Sequence, residues 1–165
     1  MKNCILLFLI VTVATPMTIV TSDVRAEPEK IHYVGDTVKL ADSEWTVLAT
    51  KNMGSVLPGD IDEKHTTGRF VAVQFAVKNT TKETAEIVGE PILITANGQK
   101  FNELSDIESY LPDGANNTFE AQIKPGTTKK FLEIYDVPKD VTGLSFQVHS
   151  LGPNPDSFAI VNIGL

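Results

Sequence analysis

Cysteine is almost absent from this chain of 165 residues. The one copy, Cys4, lies ahead of the first apolar run. Without a second cysteine the chain forms no internal disulfide, and without one in its main body it has no thiolate chemistry there; stability rests on core packing. Cys4 also precedes the apolar run, where the lipid-bearing cysteine of a lipoprotein signal does not sit. Basic residues are few, with 14 Lys and Arg against 21 Asp and Glu, giving a formal charge of −7. An acidic chain is repelled by nucleic acid and by anionic membrane surfaces. Histidine is scarce as well. His32, His65 and His149 are too dispersed to offer zinc-ligand spacing. Long apolar runs are missing beyond the N-terminus, as is any sustained helical period.

At the N-terminus, Lys2 precedes an apolar run from Ile5 to Val13, and Val24-Arg25-Ala26 supplies a small-x-small site before Glu27. This pattern reads as a secretory signal peptide over residues 1–26, cleaved after Ala26. The apolar run falls short of the ~20 residues a spanning helix requires. Removing Lys2, Arg25 and Asp23 shifts the formal charge from −7 to −8. The expectation is a secreted, extracellular protein (periplasmic where the cell has an outer membrane), with no membrane insertion once the signal is gone. Residues 27–33 read as an extended lead-in, and 34–165 as one domain with one core.

What the chain does contain is alternation. In Gly68–Asn79, Val71, Val73, Phe75 and Val77 share one face, while Phe70, Ala72, Gln74, Ala76 and Lys78 share the other. The first is the expected core face and the second a partly covered one. Gly68 is read as a turn residue with positive φ, and Asn79-Thr80-Thr81 as the closing turn. Upstream, Val38 and Leu40 align, as do Trp45, Val47 and Ala49, with Trp45 as a core anchor. Residues 51–67 read as the longest irregular loop. Short strands follow at 84–88 and 92–96, and Asn97-Gly98 signals a type I′ hairpin. Residues 103–117 form a second irregular region, opening on a helical turn capped from Ser105-Asp106. Strands at 118–123, 129–137, 144–149 and 158–163 complete the count, with Pro125-Gly126 as a type II turn. About nine strands with evenly spaced turn signals specify an all-β, antiparallel β-sandwich; a closed barrel is the competing arrangement.

Placed in this order, one set of residues carries a likeness: Gly35 and Val38, Trp45-Thr46-Val47, the Gly68–Asn79 strand, Phe101, Ile123-Lys124-Pro125-Gly126, and Phe131–Pro138. Over residues 34 to 150 the chain resembles the telokin-like family of unknown function found in bacterial secreted proteins and lipoproteins. The resemblance implies an immunoglobulin-like sandwich and carries over no catalytic residues. The chain departs from many relatives in lacking the lipid-attachment cysteine. Lys129-Lys130 stands where a glycine is common, which implies a longer turn after Gly126.

Chemistry-bearing patterns are sparse. No nucleophile elbow, phosphate loop or carboxylate pair on neighbouring strands is legible, so no enzyme activity and no cofactor are expected. Asp60, Asp62 and Glu63 cluster near His65, and this set is the candidate metal site, for a hard cation such as Ca²⁺. The spacing is not that of an EF-hand, and solvated charges on a mobile loop are the favoured reading over a cation site. Asp106, Glu108 and Asp113 form a second acidic group. Convergence of 60–65 with 106–113 would produce an acidic rim. The leading functional expectation is a non-catalytic interaction module that contacts a protein or peptide through residues 51–67 and 103–117; the alternative is a secreted ligand- or Ca-binding protein. Sequons at Asn79 and Asn116 read as coincidences of Asn-rich turns.

Overall fold

The computed structural model describes residues 30–118, 120–152 and 157–165. The expected signal peptide lies outside them, as do Phe119 and Pro153-Asn154-Pro155. Two sheets face each other. One holds β1 (His32–Tyr33), β11 (Phe158–Asn162), β10 (Ser145–His149), β6 (Ile92–Ile94) and β7 (Lys100–Phe101), in that order. The second holds β2 (Thr37–Lys39), β3 (Ser43–Pro58), β4 (Glu63–Asn79) and β9 (Thr128–Val137). A small ribbon of β5 (Ala85–Glu86) and β8 (Gln122–Ile123) closes one flank. All pairings are antiparallel except β1 with β11. The order β11-β10-β6-β7 reproduces the G-F-C-C′ sheet of an immunoglobulin domain, and β4 beside β9 its B–E pair. The architecture is therefore an immunoglobulin-like β-sandwich, not a barrel: the two sheets remain separate.

The expected core face of β4 is the real one. Val71, Val73, Phe75 and Val77 are wholly buried. Phe75 is the hub, with ring centroids 5.6 Å from Trp45, 5.6 Å from Phe131 and 5.1 Å from Phe146. These stacked and tilted rings pack the space between the sheets. Trp45 is buried as expected, and its indole N–H donates to Ser43 Oγ at 3.0 Å.

Several expectations are corrected by the structure. Residues 51–67 are not a loop: β3 and β4 run on as a two-stranded ribbon to Pro58 and Glu63. Ala49 does not share a face with Val47. Val47 pairs with Phe75 and Ala49 with Gln74, so Leu48 is an extra bulge residue that turns Ala49 to Asn52 to the opposite phase, before further register shifts at Asn52/Gly54 and Gly54/Val56. Gly68 lies within β4 rather than in a turn and has no positive φ. A β-carbon there would stand 2.4 Å from the Val137 carbonyl oxygen, so close approach of β9 is what requires glycine. Asn97 is not at positive φ; Gly98 is, at +82°, and its N–H reaches Thr95 O at 2.9 Å. That is a type I turn with a glycine bulge, not type I′. Thr127 N donates to Lys124 O at 3.1 Å with Gly126 at φ +69°, as the type II turn requires, and β9 starts one residue later with no added turn. The sandwich begins at His32 rather than 34, because parallel pairing with β11 recruits the end of the lead-in.

Candidate functional site

The outer face of the second sheet is more apolar than a solvated face should be. Phe70, Ala72, Leu57 and Ile134 form a second buried cluster there, with Met53, Leu104, Tyr110, Leu111 and Leu132 packed around it. Both faces of β9 are thus covered, which is why its phase could not be read from sequence. The cover is the segment between β7 and β8, which includes a 3₁₀ turn at Ile107–Tyr110. It is laced to β9 by Leu104 N to Ile134 O at 2.9 Å and by Leu132 N to Asn116 O at 2.8 Å.

The same segment meets the tip of the β3–β4 ribbon, so the two regions expected to carry function do converge. Asp60 N donates to Ser109 O at 3.3 Å, and the Tyr110 hydroxyl to Asp62 Oδ1 at 3.3 Å. Lys64 Nζ reaches Asp106 Oδ2 at 2.5 Å and lies 5.5 Å above the Tyr110 ring. This hydrogen bond to Asp106 raises the Lys64 pKa, whereas loss of hydration and the neighbouring Asp62 raise that of Tyr110. Asp106 makes no side-chain capping bond to the 3₁₀ turn; its carboxylate is committed to Lys64 instead. Gly59 permits the tight contact, since a β-carbon there would stand 2.8 Å from both Asp62 O and the Tyr110 ring.

Between ribbon, sheet and 3₁₀ turn runs an open groove of about 570 Å³. Ala49, Ala72, Leu132 and Ile134 form its floor, Met53, Leu57 and Pro58 one wall, Tyr110, Leu111 and Pro112 the other. Gln74 and Ser109 add neutral hydrogen-bonding groups, with Lys51 and Asp60 at its margins; the Thr50 hydroxyl is turned away to Ile163 O. The volume falls in the range of ligand-binding clefts, and the mix of apolar walls with a few polar groups is typical of them.

The expected metal ligands fare differently. Asp60, Asp62 and Glu63 are all exposed at the ribbon tip; Asp62 takes the Tyr110 hydroxyl and Glu63 lies 3.5 Å from His65. Among the described residues no three His, Cys, Asp or Glu side chains are arranged to hold a metal ion.

A carboxyl pair that sequence reading missed lies at the edge of β9, where the covering segment passes it. Glu133 is fully buried on the core face of β9, opposite Val73. Its Oε1 accepts the Thr118 N–H at 2.6 Å, while Oε2 has no donor among the ordinary polar groups. Glu103 faces it. Burial, then a hydrogen bond to Glu133 and the charges of Glu133 and Glu90, push the Glu103 carboxyl up to about 8. Burial and the neighbouring carboxylates thus favour the protonated form of Glu103, beside a Glu133 carboxyl whose own pKa burial also raises. The two glutamates clamp the 103–118 segment, one wall of the groove, onto the sheet. Asn79, at the end of β4, pins the following turn and β8 instead: its Nδ2 donates to Glu83 O and Ile123 O, and its Oδ1 accepts from Thr81. A side chain so engaged is not a glycosylation acceptor.

Residues 32–157 match the domain of unknown function DUF4352. The chain belongs to the DUF4352 family. An uncharacterized protein of Bacillus subtilis (strain 168), YxkC, is 33% identical over 124 residues, covering 70% of this chain and 68% of the relative. Among solved structures, the yjhA protein of Bacillus subtilis superposes with a TM-score of 0.62 at 14% identity, covering 80% of this chain and 99% of that one. The secreted protein MPT63 of Mycobacterium tuberculosis gives 0.56 at 17% identity, covering 82% and 98%. A putative lipoprotein of Bacillus subtilis, ycdA, gives 0.51 at 14% identity, covering 78% of this chain and 38% of that one. At these identities the structural likeness establishes the sandwich fold. Among the described residues no helix is long and apolar enough to cross a membrane.

Proposed function

We propose that this DUF4352 domain is a non-catalytic binding module of the cell exterior, and that the groove on the outer face of its second sheet is the contact surface. The groove carries the reading. A sandwich core accounts for one face of β4 and β9, but not for Met53, Leu57, Leu132, Ile134 and Tyr110 gathered on the other around open space. Apolar walls that remain accessible are what a ligand or partner covers. The site is also rigid. The ribbon tip and the 3₁₀ turn are tied together by three polar contacts, which lowers the entropy lost on binding. A secreted protein and a lipoprotein among the structural neighbours agree with an exterior location, as does the N-terminal signal pattern.

Gln74 is exposed within the groove, so Gln74→Trp fills it without disturbing the core. Panning the protein against a random peptide library should enrich sequences whose binding is lost in Q74W. Enriched binders that hold Q74W as tightly as the parent would place the contact elsewhere and overturn the assignment.

A further inference from the structure

The groove does not stand alone. Beyond Pro112 it adjoins a second depression of about 400 Å³, and the two share Asp60, Leu111 and Pro112. The second depression has the opposite character. Asp60, Glu108, Asp113 and Glu120 line it against the single cation Lys129. Among the described residues none of these four carboxylates is in an ion pair. We infer that the paired depressions bind an extended segment of a partner protein in which bulky apolar side chains sit next to lysine or arginine. This rests on the groove being the contact surface, and it names the chemistry of what enters.

Three observations favour a basic polypeptide over other occupants. The apolar walls take a leucine- or phenylalanine-sized side chain and exclude water from it. Gln74 and Ser109 offer amide and hydroxyl groups that a peptide main chain can satisfy; an acyl chain would leave them buried without partners, which is costly. The neighbouring carboxylates attract a cation one or two residues along the same chain, and the overall formal charge of −7 steers a basic partner toward the surface. An acidic partner would be repelled at both levels.

The test is fluorescence anisotropy with short labelled peptides on a glycine–serine background. Each carries a central Leu-Phe pair flanked by lysines, by glutamates or by serines; a fourth keeps the lysines and replaces the apolar pair with serine. The protein, its Q74W variant and the double variant Asp60→Lys/Asp113→Lys are compared. All three positions are exposed, and an unchanged unfolding transition verifies each fold. The expected result is that the lysine-flanked apolar peptide binds at least about tenfold tighter than the glutamate-flanked one. That preference should vanish in the double variant, and binding of every apolar peptide should weaken at least about tenfold in Q74W. Equal binding of all three apolar peptides, abolished by Q74W, would overturn the basic partner while leaving the groove as the contact surface. Equal binding of the lysine peptide without its apolar pair would reduce the effect to bulk charge and overturn the inference. No binding by any apolar peptide would overturn both readings.

Discussion

The Glu103–Glu133 clamp makes an unusual prediction for an acidic protein: stability should fall as the solution becomes mildly alkaline. Glu103 loses its proton near 4.5 in the unfolded chain and at about 8 in the fold. Between those values the folded state binds more protons than the unfolded one, so the stabilisation is fully present below pH 4.5 and is lost as pH rises through about 8. At about 1.4 kcal/mol per pH unit of separation the ceiling is about 5 kcal/mol. Glu103 is only partly buried, and water reaching its carboxylate relieves repulsion, so a total of about 2–3 kcal/mol is expected. His149 works in the opposite sense: burial, with Lys100 nearby, lowers its pKa, so its contribution is present above about 6.5 and lost as pH falls. The diagnostic window is therefore pH 6.5 to 8.5.

Urea unfolding followed by the fluorescence of Trp45, the single tryptophan, measures this directly. Over that window the natural protein should lose roughly 1–2 kcal/mol. In Glu103→Gln the neutral amide carries no titrating proton beside Glu133, so the loss should disappear and the variant should exceed the parent at pH 8.5. Urea is preferred to guanidinium because a salt would screen the repulsion being measured. A parent whose stability is flat or rising across the window, or an E103Q variant that falls in parallel with it, would refute the clamp.

Asn79→Ala removes the side-chain donor to Ile123 O and Glu83 O, the latter keeping only the Thr81 hydroxyl, and leaves the Thr81 N–H without its acceptor; a loss of about 2–3 kcal/mol, or about 10 °C in Tm, is expected by calorimetry. Gly68→Ala drives a methyl group into the Val137 carbonyl and should cost about 2–3 kcal/mol by urea unfolding, whereas Gly98→Ala, with open space around it but φ of +82°, should cost only about 1 kcal/mol. Adding Ca²⁺ should leave Tm unchanged, since Asp106 is already neutralised by Lys64 and Asp62 is tied to Tyr110; a reversible rise of several degrees, lost in a variant neutralised at Asp60, Asp62 and Glu63, would establish the cation site instead.

How legible was this in the sequence? The core face was, because strict alternation of Val71, Val73, Phe75 and Val77 admits one phase. The fold class followed from turn spacing. The ribbon was hidden by Gly54, Pro58 and Gly59, which read as loop residues, although Met53, Ser55 and Leu57 keep a two-residue period that could have exposed it. The Glu103–Glu133 pair was hidden for another reason. Glu133 sits between Phe131 and Tyr135 in the alternation, and its burial depends on a partner thirty residues upstream that no local pattern announces.

The features that escaped the sequence reading are the ones that build the groove, and this is more than coincidence. A strand obeying simple alternation from Trp45 onward would send Ala49 and Lys51 to the core and point Thr50 outward. The Leu48 bulge reverses this, placing Ala49 and Lys51 on the outer face beside Ala72 and Gln74. Gly68 lets β9 approach so that Leu132 and Ile134 continue the floor, and Gly59 lets the ribbon tip close against Tyr110. Each departure weakens a local rule, and none of them serves the main core, which is complete with Phe75 and its neighbours. Removing the Leu48 bulge by deletion therefore discriminates between a folding feature and a site feature. If the bulge exists to shape the groove, the deletion should retain a cooperative Trp45 transition while peptide binding is lost. Loss of the folded state itself would show that the phase reversal is needed to seat the ribbon, and would move the bulge from the site to the scaffold.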